Sequence, residues 1–252
     1  MKVALALSGG GIRAVAHLGI IEVLEKNGFE VEAISGSSGG ALVSALYCDG
    51  RAPEEIVELI KEVKIWNLFG STGRGGVFAL EGIKKLLLDT LTTEEIGDLS
   101  RPFIVACTDL AAGKIRYFDE GPIADLCVAS SSLVPIFSPV RHGDMLLADG
   151  GFMDNMPAGP LEAFGLPVIG INVNPILPKK PDNVIRTTTR ALVLMMAANI
   201  EASRRHTDFY IEPAACEKIN IFDLAKVDEA YEAGYKEAQR LLPKLLDTFC
   251  AL

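Results

Sequence analysis

Histidine is scarce in this chain. Only His17, His142 and His206 occur in 252 residues, so a mechanism built on an imidazole has three candidates. Cysteine is thin too: Cys48, Cys107, Cys127, Cys216 and Cys250 are odd in number, scattered, and never form a C-x-x-C pair. That pattern reads as reduced thiols in a reducing compartment, with no disulfide frame and no zinc site. Long apolar runs are missing. The stretch 191–198 falls far short of the roughly 20 residues that a membrane span needs. Near the N-terminus, Lys2 precedes only five apolar residues before Ser8 and three glycines, which does not read as a secretory signal. Basic charge is in deficit, with 24 Lys and Arg against 33 Asp and Glu and a formal net charge of −9. Such a surface repels phosphate backbones, which argues against nucleic acid as a partner. It leaves any membrane contact to local apolar features. The expectation is a cytoplasmic protein with, at most, peripheral membrane association. Nothing in the sequence sets an oligomeric state.

What is present is ample material for a core. Hydrophobic residues make up 49 % of the chain and charged residues 23 %, ordinary shares for a globular protein. No linker, repeat or low-complexity tract interrupts it, so one domain over 1–252 is expected. Apolar runs at 3–7 and 31–35 read as buried strands, each followed by a glycine-rich turn and a helical pattern, at 12–26 and 41–47. That alternation predicts a parallel sheet with helices packed on it. Further helices are expected at 53–63, 80–91, 123–130, 157–164, 186–205 and 227–249. Further strands are expected at 103–108, 114–118, 145–148 and 168–173. The stretch 65–78 carries Trp66, Leu68, Phe69 and Phe78 among four glycines. It reads as a loop whose apolar side chains contact lipid or, equally, as ordinary core. Leu192, Leu194, Met195 and Met196 form a stripe that suits either a pocket wall or helix packing.

Three short stretches carry chemistry. Gly36-Ser37-Ser38-Gly39-Gly40 fits G-x-S-x-G between a strand and a helix. A serine there sits in a tight turn that presents its hydroxyl, and the following helix aims amides and dipole at it. Ser38 is the central residue, with Ser37 the competing hydroxyl. Gly9-Gly10-Gly11-Ile12-Arg13 follows the first strand, and its free backbone amides, with Arg13, suit an oxyanion hole. The same glycines also match the dinucleotide fingerprint G-x-G-x-x-A. That fingerprint wants an acid at the end of the second strand, where Ser35-Gly36 stands. Asp149-Gly150-Gly151 ends the 145–148 strand, and an acid so placed can approach another loop and act as a general base. His206 has the chain order for a Ser38/Asp149/His206 triad of α/β-hydrolase type, which stays open beside a two-residue Ser38/Asp149 arrangement.

In combination these stretches resemble the patatin-like phospholipase family. Supporting likeness comes from Ala129-Ser130-Ser131-Ser132-Leu133-Val134-Pro135, from Asp154-Asn155-Met156-Pro157 and from residues 168–172, so the resemblance spans roughly residues 3–173. It implies an α/β fold, a three-layer α/β/α sandwich with a mainly parallel central sheet. It implies Ser38 as nucleophile, Asp149 as base without a third member, and Gly9, Gly10, Gly11 and Arg13 as the oxyanion region. It implies a lipid ester substrate, phospholipid or lysophospholipid, cleaved through an acyl-enzyme with no metal and no cofactor. Ala14 departs from the family, which often has glycine there. The last third carries no resemblance.

Overall fold

The computed structural model describes residues 1–63, 70–71, 78–178 and 180–249, with backbone alone at 70, 71, 78, 79, 185, 186 and 189. In chain order the elements are β1 (Lys2–Leu7), α1 (Val15–Lys26), β2 (Glu30–Ser37), α2 (Gly39–Cys48), α3 (Pro53–Glu62), β3 (Gly70–Ser71) and β4 (Phe78–Ala79). Then come α4 (Glu81–Thr90), β5 (Phe103–Asp109), β6 (Lys114–Phe118), α5 (Ile123–Ser130), β7 (Val140–His142) and β8 (Met145–Asp149). The last are β9 (Val168–Ile171), α6 (Val184–Arg204), β10 (Phe209–Ile211) and α7 (Val227–Phe249).

Eight strands form one sheet in the order β10-β9-β1-β2-β5-β8-β7, with β6 also pairing β5. The run β10, β9, β1, β2, β5 is parallel throughout; β6, β8 and β7 join antiparallel. The apolar strands are unalternated because both faces are covered. Val3, Leu5 and Leu7 of β1 face a core shared with α1, α2 and α7, while Ala4 and Ala6 face Met156, Ala158, Leu161 and Ile200 on the other side. Helices thus lie on both faces of a mostly parallel sheet, as the expected α/β fold requires. Helix α7 runs along α1 at very close range. A Cβ added to Gly234 would lie 1.9 Å from the Ala16 carbonyl oxygen, and one added to Gly19 would lie 2.3 Å from that of Tyr231.

Register brings the three motifs to one level. Leu7 pairs Gly36, Ser37 pairs Ala106, and Cys107 pairs Asp149. The residue after each of β1 and β2, and the last residue of β8, therefore emerge side by side at the carboxyl ends of the parallel strands, the usual place for a site in such a sheet.

Some local expectations need correction. Residues 157–164 were expected as a helix; only Gly159–Phe164 coils, as a 3₁₀ run, closed by Gly165 in the left-handed region. Pro157 and Pro160 each remove an amide donor, which limits regular α-helix there. The strand expected over 168–173 stops at Ile171, after which the Val173 amide bonds the Ser8 hydroxyl at 3.0 Å. The three-residue strands β7 and β10 gave no readable pattern, being too short for a period. Trp66, Leu68 and Phe69 lie outside the described residues, as does the side chain of Phe78.

Candidate active site

Ser38 caps α2 with φ 51° and ψ −125°, and among the described residues it alone combines a positive φ with a side chain. A non-glycine residue held there is strained, and such strain persists only where the surroundings over-determine it. The surroundings here do so. The Ser38 amide donates to Ser130 Oγ at 2.9 Å, and Ser130 Oγ donates to the Ala106 carbonyl at 2.7 Å. Gly40 presses on β1 so closely that a Cβ would lie 2.5 Å from the Leu7 carbonyl oxygen. Ser38 is half-buried and opens onto a cavity. Ser37, the competing hydroxyl, is fully buried at the end of β2, against Gly150, and does not line that cavity.

Asp149 is 2 % exposed. Its Oδ1 accepts the Gly151 amide at 2.8 Å, and its own amide donates to the Ser132 carbonyl at 3.0 Å. Burial pushes its carboxyl up to about 6, while the Gly151 amide and a hydrogen bond from the Ser38 side chain hold it down. Serine and carboxylate therefore share one floor, and no described histidine joins them. His206 lies against Gly159, with Nδ1 2.6 Å from Glu162 Oε1. His17 is buried in α1 with Nε2 2.8 Å from the Ser8 carbonyl oxygen, and burial lowers its imidazole to about 4. His142 meets the Phe118 ring. None of the three lines the cavity. The Ser38/Asp149/His206 arrangement is thus not formed.

The glycine loop lies against the serine. A Cβ at Gly9 would sit 2.7 Å from Ser38 Cβ, and one at Gly39 would sit 2.8 Å from the Gly11 carbonyl oxygen. The Gly9 amide donates to the Asn155 carbonyl at 3.1 Å, but no acceptor among the described residues takes the amides of Gly10 or Gly11. They are unspent donors beside the hydroxyl, together with the N-terminus of α2. Arg13, expected in the oxyanion region, lines the cavity and is anchored by backbone carbonyls. Its Nε donates to the Ile219 carbonyl at 2.7 Å and its Nη2 to the Glu217 carbonyl at 3.2 Å. Those bonds engage the guanidinium with the segment 217–221, which also takes the Ile12 amide on the Ile221 carbonyl. A residue that sequence reasoning did not single out is Asn155, buried beside Gly9 and Gly151 with Oδ1 unpartnered among the described residues. Its only sequence signal was its place in Asp154-Asn155-Met156-Pro157. Asn174, whose Nδ2 donates to the Gly9 carbonyl, carried no signal at all.

The cavity measures about 910 Å³, at the upper end for a small-molecule site. Ser38, Asp149, Asn155 and the glycine loop form its polar floor. The walls are aliphatic: Leu42, Val43 and Leu46 from α2, Ile60 from α3, Ile83 and Leu87 from α4, and Val193, Met196 and Ile200 from α6. Of the stripe read on α6, Leu192 and Met196 do line the cavity, whereas Leu194 and Met195 turn outward into solvent. β2 ends in Ser35-Gly36-Ser37, without the acid that dinucleotide binding wants, and the loop's neighbours are Ser38, Asn155 and Asn174. Among the described residues no group of three or more His, Cys, Asp or Glu is arranged to hold a metal.

Comparison with known proteins matches residues 5–162 to the family model described as patatin-like phospholipase. An uncharacterized NTE family protein of Mycobacterium tuberculosis is 34 % identical over 163 residues, covering 64 % of this chain and 45 % of that protein. The lysophospholipase nte1 of Aspergillus fumigatus is 24 % identical over 283 residues, covering 96 % of this chain and 18 % of its own length. The chain spans less than half the length of the curated relatives it matches. Among solved structures, VipD from Legionella pneumophila aligns with a TM-score of 0.64 at 16 % identity, covering 96 % of this chain and 67 % of VipD. That likeness is one of fold.

Proposed function

The chain belongs to the patatin-like phospholipase family, and from that premise we propose that it hydrolyses the acyl ester of a phospholipid or lysophospholipid through Ser38 and Asp149 alone. The observation that carries this reading is the strained Ser38, facing a buried carboxylate at the floor of a large aliphatic cavity. In the proposed reaction the Asp149 carboxylate takes the hydroxyl proton as Ser38 Oγ attacks the ester carbonyl. The amides of Gly10 and Gly11 stabilise the oxyanion. Collapse expels the alcohol, which takes the proton from Asp149, and an acyl-enzyme remains. Water then attacks the acyl carbon, again giving its proton to Asp149, and the fatty acid leaves as Ser38 regains its hydrogen. A carboxyl raised to about 6 is suited to this work, being ionised at neutral pH yet more basic than an exposed aspartate.

The aliphatic walls support an acyl chain as the group bound, and the name of the Aspergillus relative supports a lysophospholipid among the substrates. Four buried free cysteines among the described residues support a cytoplasmic location. The test is hydrolysis of a short-chain p-nitrophenyl ester by wild type, Ser38→Ala, Asp149→Asn and His206→Asn. Loss in the first two variants with His206→Asn active is expected. Full activity in a folded Ser38→Ala protein would overturn the reading.

A further inference from the structure

Exposed apolar side chains are not spread evenly over this molecule. Among the described residues twelve large ones are exposed, and five of them fall within residues 176–195: Ile176, Leu177, Val184, Leu194 and Met195. Two more, Ile136 and Phe222, line the cavity itself. Val184 is 81 % exposed, Met195 65 % and Leu194 44 %. Helix α6 turns Val193, Met196 and Ile200 onto the cavity, so Val184, Leu194 and Met195 lie on the far side of the helix that walls the site. An apolar outer face on a helix whose inner face is already satisfied marks an interaction surface.

Charge says what that surface meets. In sequence, residues 176–195 hold four basic residues against one acid, Asp182, in a chain whose net charge is −9, and the basic side chains described there are Lys180 and Arg190. Lys180 and Arg190 line the cavity, and exposed Lys218 lines it from another segment, with Glu217 the acid beside it. Arg190 also ties the segment before α6 to the helix, its Nη2 donating to the Leu177 carbonyl at 2.7 Å. A basic segment with exposed Leu, Met and Val is the pattern of an element that lies in the interface of an anionic bilayer. No described helix is long and apolar enough to cross a membrane, so the contact is one of surface seating.

We propose that residues 176–195 dock this protein on the surface of an anionic phospholipid bilayer, seating the cavity mouth where lipid can enter it. The proposal rests on the hydrolytic reading for its purpose, but its test does not. Full-length protein is floated with phosphatidylcholine vesicles and with vesicles of phosphatidylcholine mixed with phosphatidylglycerol. Wild type is compared with Val184→Asp and with the double variant Leu194→Asp/Met195→Asp, whose side chains stand outside the cavity. Hydrolysis of a soluble p-nitrophenyl ester and circular dichroism run in parallel. Wild type should bind the anionic vesicles and be released by salt. Each variant should bind at least about tenfold more weakly, since a carboxylate now faces the anionic surface, while soluble-ester turnover and the spectrum stay unchanged. Wild type that fails to bind, that binds neutral vesicles equally well, or that is matched by both variants overturns the proposal. Vesicle binding without ester hydrolysis upholds the docking and counts against the hydrolytic reading alone.

Discussion

At the scale of single residues the site is a conflict between burial and charge. Asp149 is ordinarily about 3.8 and stands near 6 because water is removed from it. Its folded value is above its unfolded value, so the fold prefers the neutral acid. The contribution of this one group to stability is greatest below about pH 4 and is lost as pH rises through 6, by up to about 3 kcal/mol for a shift of this size. Asp149→Asn keeps an acceptor for the Gly151 amide and removes the buried charge. It should melt several degrees higher than wild type at about pH 8 and nearly equal to it near pH 4, while losing activity. Equal melting at both pH values would contradict the burial argument. The same group sets the rate profile: as a base it works ionised, so the initial rate of ester hydrolysis should fall as pH drops through about 6. Ser38→Ala should lower kcat by on the order of a thousandfold or more, with the fold intact by circular dichroism.

At the scale of elements, two glycines set the spacing of α1 and α7. In a solvent-facing helix, Gly→Ala gains up to about 1 kcal/mol of propensity. At Gly234 the sign should reverse, because the new methyl would meet the Ala16 carbonyl at 1.9 Å and push the helices apart. Gly234→Ala should therefore destabilise by about 1–3 kcal/mol in urea unfolding; a gain would contradict the close crossing. Nothing in the sequence distinguished Gly19 and Gly234 from other helical glycines, since the reason for them lies on the partner helix. The long helices themselves were readable. Val227, Ala230, Gly234, Ala238, Leu241, Leu245 and Phe249 recur on one buried face, and α7 has the bounds that this period gives. The 3₁₀ run at 159–164 was not, because the prolines that mark a helix start also restrict its interior.

At the scale of the whole molecule, parallel register gathers residues 9, 38 and 149 from distant parts of the chain. The fold class and the meeting of residues 9 and 38 were legible because strand, glycine turn and helix repeat locally; Asp149 was joined to them only through the family resemblance. What stayed dark was what the last third contributes. Residues 217–221 hold Arg13 and the glycine loop, Asn174 holds Gly9, and α6 walls the cavity. Backbone carbonyls, which every residue carries, do most of this holding, so no residue type announces it. The anchoring of Arg13 was unreadable for the same reason, since its acceptors are carbonyls over 200 positions away. The central claim, that Ser38 is the nucleophile activated by Asp149, is tested most directly by mapping covalent attachment. Wild type, Asp149→Asn and His206→Asn are treated with a fluorophosphonate, digested and analysed by mass spectrometry. The account predicts one adduct, on Ser38, forming at comparable rates in wild type and His206→Asn and far more slowly in Asp149→Asn. An adduct on Ser37, or labelling of Asp149→Asn as fast as wild type, would contradict it.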